Sequence, residues 1–269
     1  MKTPQNLYII KLGGSVITTK EENRFEARKE TIAGLGKEIR RAMDKEHFRI
    51  VVVHGAGPFG HSNVNEYGIN YGVFTERHKE GYKKTVLDCN ALDKIVVAQL
   101  KKNGLEPVAF DPNKIIVQES KKIVEFDTAG IEKALSEGKV PVLYGQMVPD
   151  KKLNASVVSG DTILAFLAKK LGAQKVFLGT DVAGIFNADP KKEPNAKRIP
   201  LIDKENFGIV FDRVSGANTV DVTHGMKGKL MKLKERLNGT TAFIFDANKE
   251  GNVYKALTGE RIEGTEVRL

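Results

Sequence analysis

The chain reads as an α/β fold, a three-layer αβα sandwich around a mainly parallel sheet. Strand-like apolar runs alternate with helical patterns along all 269 residues. The runs themselves, such as Ile50-Val51-Val52-Val53, are apolar on both faces, as strands covered by helices on both sides must be. Glycine-bearing turns follow several of these strands, at the carboxyl edge where such sheets bind ligands.

Residues 7–12 predict a first strand that runs directly into Gly13-Gly14-Ser15. Lys11 is unexpected inside that strand, because a buried lysine needs an anion or carries a large desolvation cost. Its place beside two glycines and a serine suits a phosphate. Lys20 follows on a polar loop. Ile32, Leu35, Ile39 and Met43 then keep helical spacing over residues 26–46. After strand 50–53 comes Gly55-Ala56-Gly57-Pro58-Phe59-Gly60-His61-Ser62, with a helix expected beyond Ser62. Segment 62–82 is irregular and aromatic, and Tyr67, Tyr71, Phe74 and Tyr82 are read either as core or as the wall of an apolar pocket. Val86, Cys89, Val96 and Leu100 mark a helix stopping at Asn103-Gly104. Strands are expected at 106–110 and 140–144, with a hairpin from 115–118 and 122–126 and a helix at 131–135 between them. Residues 145–158 read as a loop leading to Ser159-Gly160-Asp161-Thr162, which caps an apolar helix through Leu171. Strand 175–178 precedes Gly179-Thr180-Asp181, residues 187–200 form a long surface loop, and Gly225-Met226-Lys227-Gly228-Lys229 opens a basic helix. Strand 241–245 and a short helix at 253–257 close the pattern.

The length allows one large domain or two closely joined lobes. The 41% apolar and 29% charged composition is that of an ordinary soluble protein. No apolar run reaches membrane-spanning length and the N-terminus lacks a secretory pattern, so a cytoplasmic location is expected. A lone cysteine, Cys89, rules out an internal disulfide and is read as a packed apolar residue. The net charge of +9 comes without an arginine-rich or aromatic-interleaved basic motif, which favours small phosphorylated ligands over nucleic acid or a membrane surface.

Residues 50–62 are the centre of this reading. Gly55, Gly57 and Gly60 match the dinucleotide fingerprint G-x-G-x-x-G, which belongs on a first βαβ unit. The segment from Gly55 to Ser62 also has Walker spacing, but with His61 where lysine should stand. Lysine is a permanent cation, whereas histidine changes charge near neutral pH. The segment is therefore a phosphate-binding turn with a titratable group at its tip, or, more plainly, a tight turn with a solvated histidine.

Lys11-Leu12-Gly13-Gly14-Ser15, the glycine turn, Ser159-Gly160-Asp161, Thr180-Asp181-Val182-Ala183-Gly184 and Gly225-Met226-Lys227-Gly228-Lys229 together resemble the amino acid kinase superfamily. His61, Lys20 nine residues after Lys11, Phe126-Asp127-Thr128 and the tail from Val253 resemble its isopentenyl phosphate kinase branch. The resemblance implies one amino acid kinase domain, with a phosphate-acceptor lobe at about 1–170 and a nucleotide lobe at about 171–269. It also implies ATP-dependent phosphorylation of isopentenyl phosphate to the diphosphate, in an archaeal-type mevalonate route, by a homodimer. Under it, Lys11 and Lys229 hold the ATP phosphates, and Gly13, Gly14, Ser15, Gly57 and Gly225 line them. Asp181 sits at the nucleotide, while Ala56, His61 and Gly160 bind the acceptor phosphate. Asp161 orients the lysines and Lys20 stabilises the transition state. Magnesium is implied by ATP, with no side chain assigned to it. Ala56 and His224 each replace a glycine frequent in the family. A fosfomycin-type phosphonate kinase, which shares the histidine, is the main alternative. A carboxylate or carbamate kinase would not need His61, a nucleotide sensor could drop Lys20 or Lys229, and a dinucleotide oxidoreductase would want its fingerprint on the first strand.

Overall fold

The computed structural model describes residues 6–21, 24–188, 190, 192–216, 230–231, 233–234 and 239–269. The chain starts with β1 (Leu7–Leu12), a single helical turn α1 (Gly14–Ile17), and a hairpin of β2 (Thr18–Glu21) and β3 (Arg24–Ala27). Then come α2 (Lys29–Glu46), β4 (Arg49–His54), α3 (Pro58–Glu66), the long α4 (Glu76–Lys102) and β5 (Pro107–Ala109). After α5 (Pro112–Ile115) a hairpin of β6 (Ile116–Glu119) and β7 (Lys122–Phe126) leads to α6 (Ala129–Ser136) and β8 (Val140–Tyr144). A second hairpin, β9 (Gln146–Asp150) and β10 (Asn154–Val158), precedes α7 (Gly160–Leu171) and β11 (Lys175–Thr180). The remainder holds the short β12 (Ile185–Phe186), β13 (Arg198–Ile199) and β14 (Leu201–Asp203), then α8 (Phe207–Gly216), β15 (Thr241–Asp246), a helix at Asn252–Thr258, and β16 (Gly264–Arg268).

Eight of these strands form one sheet in the order β14-β16-β15-β11-β1-β4-β8-β5. The β15–β16 pairing is antiparallel and the other pairings in this sheet are parallel. Strand alternation sends side chains to two faces. Leu7, Ile9, Val51, Val53, Val176 and Leu178 pack against α6, α7 and α8. Ile10, Leu12, Ile50, Val52 and Phe177 pack against α2, α4 and the helix Asn252–Thr258. This is the three-layer αβα sandwich the sequence predicts. The strand order also separates the chain's halves, with β1, β4, β8 and β5 on one side and β11, β15, β16 and β14 on the other.

Some expectations need correction. The first long helix begins at Lys29, because residues 18–27 pair as the β2–β3 hairpin, so Lys20 lies on a strand rather than a polar loop. Residues 145–158 are largely strand as well: β9 and β10 pair and join β6 and β7 in a four-stranded second sheet. That hairpin is fastened by Asp150, whose buried carboxylate accepts from the Ser120, Lys121, Lys152 and Leu153 amides and from the Ser156 hydroxyl. The surface loop at 187–200 ends in the small β12–β13 ladder.

Candidate active site

The site grows from the carboxyl ends of three adjacent strands, β1, β4 and β11. Gly13 leaves β1 and donates its N–H to Gly179 O of β11 at 2.9 Å, and Gly55 leaves β4 and donates to Leu12 O of β1 at 2.9 Å. The first two turns touch backbone to backbone. A Cβ at Gly14 would lie 2.6 Å from Gly57 N, and one at Gly55 would lie 2.5 Å from Gly14 N. Thr18 joins them, with its hydroxyl donating to Gly14 O at 2.6 Å.

The helix after the second turn starts at Pro58, not beyond Ser62. Gly57 has φ +52°, a conformation natural to glycine, and proline at the first helical position is preset for the helix. His61 and Ser62 therefore sit in the helix rather than ahead of it. No side chain caps this helix; Pro58 has no N–H to satisfy, and the Gly60 and His61 amides donate to Gly57 O at 3.3 and 3.1 Å.

Lys11 finds its anion across the α7 layer. Its strand parity is that of Leu7 and Ile9, which face α7, and its Nζ lies 2.7 Å from Asp161 Oδ1 in the first turn of that helix. Both side chains are largely buried. The Ser159 hydroxyl caps α7 by accepting from Thr162 N at 3.2 Å. Gly160 permits the close approach, since a Cβ there would stand 3.2 Å from His54 O and 3.3 Å from Lys11 Cε. On β11 the Thr180 hydroxyl donates to Val182 O at 2.8 Å and shapes the turn that carries Asp181.

These elements enclose a cavity of about 990 Å³. Lys11, Gly13, Gly14 and Ser15 line it from the first turn, and Ala56, Gly57 and His61 from the second. Gly160, Asp161 and Asp181 complete the set from the other two segments. Lys20 keeps its backbone place on β2, while its side chain, together with Gly225, His224 and Lys229, lies outside the described residues. Among the described residues no group of three or more His, Cys, Asp or Glu is arranged to hold a metal ion.

Thr18 and an apolar wall escape a reading of the sequence. Val64, Met147 and Val157, with Thr85 and Cys89, line the same cavity. Tyr71 and Phe74 are not among its lining; they are 77% and 58% exposed. Tyr82 packs against the cluster of Val64 and Met147, with its hydroxyl accepting from Asn113 Nδ2 at 2.6 Å. The signal for the wall was the alternation in β9 and β10, concealed once those residues are taken as loop. Cys89 is buried, and burial pushes its thiol up to about 12, which makes it an inert packing residue.

The amino acid kinase family profile matches residues 6–246. The chain belongs to the amino acid kinase family. Among amino acid kinases it is 33% identical over 269 residues to the isopentenyl phosphate kinase of Methanocaldococcus jannaschii, covering 97% of this chain and 98% of that one. It is likewise 33% identical over 270 residues to the isopentenyl phosphate kinase of Methanothermobacter thermautotrophicus, with the same coverage. An X-ray structure of isopentenyl phosphate kinase superposes with a TM-score of 0.83 at 31% identity, covering 97% of this chain and 100% of that one. Aspartate kinase from Synechocystis, at 18% identity and a TM-score of 0.66, shares the amino acid kinase fold alone.

Proposed function

We propose that this chain transfers the γ-phosphoryl group of ATP to isopentenyl phosphate, giving isopentenyl diphosphate and ADP. The observation that carries this reading is the double character of one cavity. Amide-rich glycine turns and Lys11 meet an apolar wall of Val64, Met147 and Val157, which suits a phosphate joined to a short hydrocarbon tail. The similarity to isopentenyl phosphate kinases over nearly the full chain supports it.

A phosphate monoester has a second pKa near 6, so the acceptor is already largely a dianion at neutral pH and needs no general base. The barrier is electrostatic, because two highly charged groups must meet and the transferred phosphoryl spreads its charge in the transition state. Lys11 and Lys229 hold the ATP phosphates, Lys20 stabilises the transferring group, and Asp161 fixes Lys11. His61, Ala56 and Gly160 hold the acceptor phosphate. The nucleotide's phosphates lie along Gly13, Gly14, Ser15, Gly57 and Gly225, near Asp181. The glycine cradle that a Cβ would fill fits these phosphates, and magnesium, which would enter with ATP, would offset the charge of the transferring group. In this reading the half of the chain before about residue 170 takes the acceptor and the later half the nucleotide, in a cytoplasmic homodimer serving an archaeal-type mevalonate route.

The test is a coupled ADP-release assay with isopentenyl phosphate, dimethylallyl phosphate, fosfomycin and N-acetylglutamate side by side. Isopentenyl phosphate is expected to be preferred. A preference of about tenfold or more in kcat/KM for fosfomycin or N-acetylglutamate overturns the reading.

A further inference from the structure

His54 has no role in the reaction just described, yet it is fully buried at the end of β4, one residue before the second glycine turn. Its strand parity is that of Ile50 and Val52, which face α4. Buried Asp93 of α4 sets Oδ1 3.2 Å from His54 Nε2. The other ring nitrogen, Nδ1, lies 3.1 Å from the carbonyl oxygen of Gly55. Tyr144 stacks on the imidazole at 5.2 Å, nearly parallel, and its hydroxyl donates to Asn90 Oδ1 at 2.8 Å. Beyond Asn90, Asp111 accepts from Asn90 Nδ2 at 3.4 Å.

A carbonyl oxygen can only accept, so Nδ1 carries a hydrogen. The contact between Nε2 and the Asp93 carboxylate fixes the orientation of the ring. In a trans peptide the C=O and the following N–H point in opposite directions. Fastening Gly55 O on the His54 side therefore turns Ala56 N–H to the other side of that peptide. Ala56 lines the cavity. The preceding peptide is held as well: Gly55 N–H donates to Leu12 O at 2.9 Å and the His54 carbonyl accepts from Gly145 N at 3.1 Å.

We propose that His54, held by Asp93, is a positioning residue for the acceptor phosphate: it locks the peptide between Gly55 and Ala56 so that Ala56 N–H is presented to that phosphate. The identity of the acceptor rests on the function proposed above; the hydrogen bond from the ring to Gly55 O does not.

Two measurements test it. In ¹⁵N-histidine spectra of the unaltered protein, with the His54 signals assigned by their loss in His54→Phe, Nδ1 is expected to carry a hydrogen. A bare Nδ1 overturns the proposal. In kinetics, His54→Phe keeps a ring for Tyr144 to stack on but removes the donor. It should raise KM for isopentenyl phosphate at least about tenfold while changing ATP affinity less than about twofold. His54→Asn, whose side-chain amide can still donate to Gly55 O, should recover part of that loss. A role in packing alone would lower the melting temperature and leave KM unmoved, and an unchanged KM in folded His54→Phe overturns the proposal. Should His54→Phe not fold, Asp93→Asn is measured the same way and judged by the same KM criterion, with the ring signals assigned by their loss in His54→Asn. If the unaltered protein does not turn over isopentenyl phosphate, the proposed function fails. The positioning role is then judged by titration with inorganic phosphate, where His54→Phe should bind at least about tenfold more weakly and equal affinity overturns it.

Discussion

Lys11 was conspicuous in the sequence because an apolar strand offers a cation nothing to bind, and the structure supplies Asp161 at 2.7 Å. That pairing holds the ammonium in place before any ligand arrives, so Lys11→Ala should lower kcat at least about a hundredfold, the scale for losing one transition-state donor. Circular dichroism should still report a folded chain, and near-normal turnover would remove Lys11 from the machinery. His61 should behave differently. If a hydrogen-bond donor is what the acceptor phosphate needs, His61→Ala loses most kcat/KM for isopentenyl phosphate, while His61→Gln keeps more because its amide can donate. Wild-type kinetics in His61→Ala would make it a solvated residue on the surface of α3. The His54 and Asp93 pair was not visible beforehand. The partners are 39 residues apart, on a strand and a helix, and no local pattern links them.

Elements are easiest to read where the apolar pattern is unbroken, as in β4 and α7, and hardest where a turn does the work; the first turns of α4, from Glu76, fall inside the segment 62–82 that reads as irregular. The second glycine turn hid its helix start because the familiar signal, a serine or threonine cap, is replaced by Gly57 at positive φ with Pro58 behind it. The β9–β10 hairpin was missed because its strands are short and polar residues interrupt them. Asp150 holds that hairpin. Burial alone would raise its carboxyl, but the Ser156 hydroxyl and the Lys121, Lys152 and Leu153 amides hold it well below the usual carboxylate range. A group depressed in the folded state contributes stability above its unfolded pKa and loses it as pH falls toward the folded value. Urea melts should therefore show Asp150→Asn costing about 2–3 kcal/mol at pH 7, the scale of hydrogen bonds to a charged group, with the deficit shrinking below about pH 4. An equal deficit at pH 7 and pH 3 would contradict this origin. The same hairpin supplies Met147 and Val157 to the apolar wall. Met147→Ala or Val157→Ala should improve kcat/KM for geranyl phosphate relative to isopentenyl phosphate. Tyr71→Ala and Phe74→Ala, altering exposed rings, should leave that ratio unchanged, and the reverse pattern would put the tail elsewhere.

Across the whole molecule, the cavity straddles the line where the two halves of the chain meet, between β1 and β11. A ligand pair bound there ties the halves together and stabilises the fold by mass action. Isopentenyl phosphate and a non-hydrolysable ATP analogue, each near 100 times its Kd, should each add about 2.7 kcal/mol. That corresponds to about 5–10 °C in Tm for a chain of this size, and no shift would place the ligands away from the cavity. This architecture was legible because it depends on order along the chain, whereas the abutment of the two glycine turns depends on contact between distant backbones. A side chain at Gly55 would have to grow into the backbone of Gly14, and one at Gly14 into the backbone of Gly57. Neither can be exchanged by a single mutation without displacing its neighbour's main chain, and a matched double change only adds a second obstruction. The walls built from α3, α4 and the β9–β10 hairpin carry no such interlock. Mutational tolerance in this enzyme is therefore divided by geometry: the floor is fixed, and any drift toward other phosphorylated acceptors has to proceed through the walls.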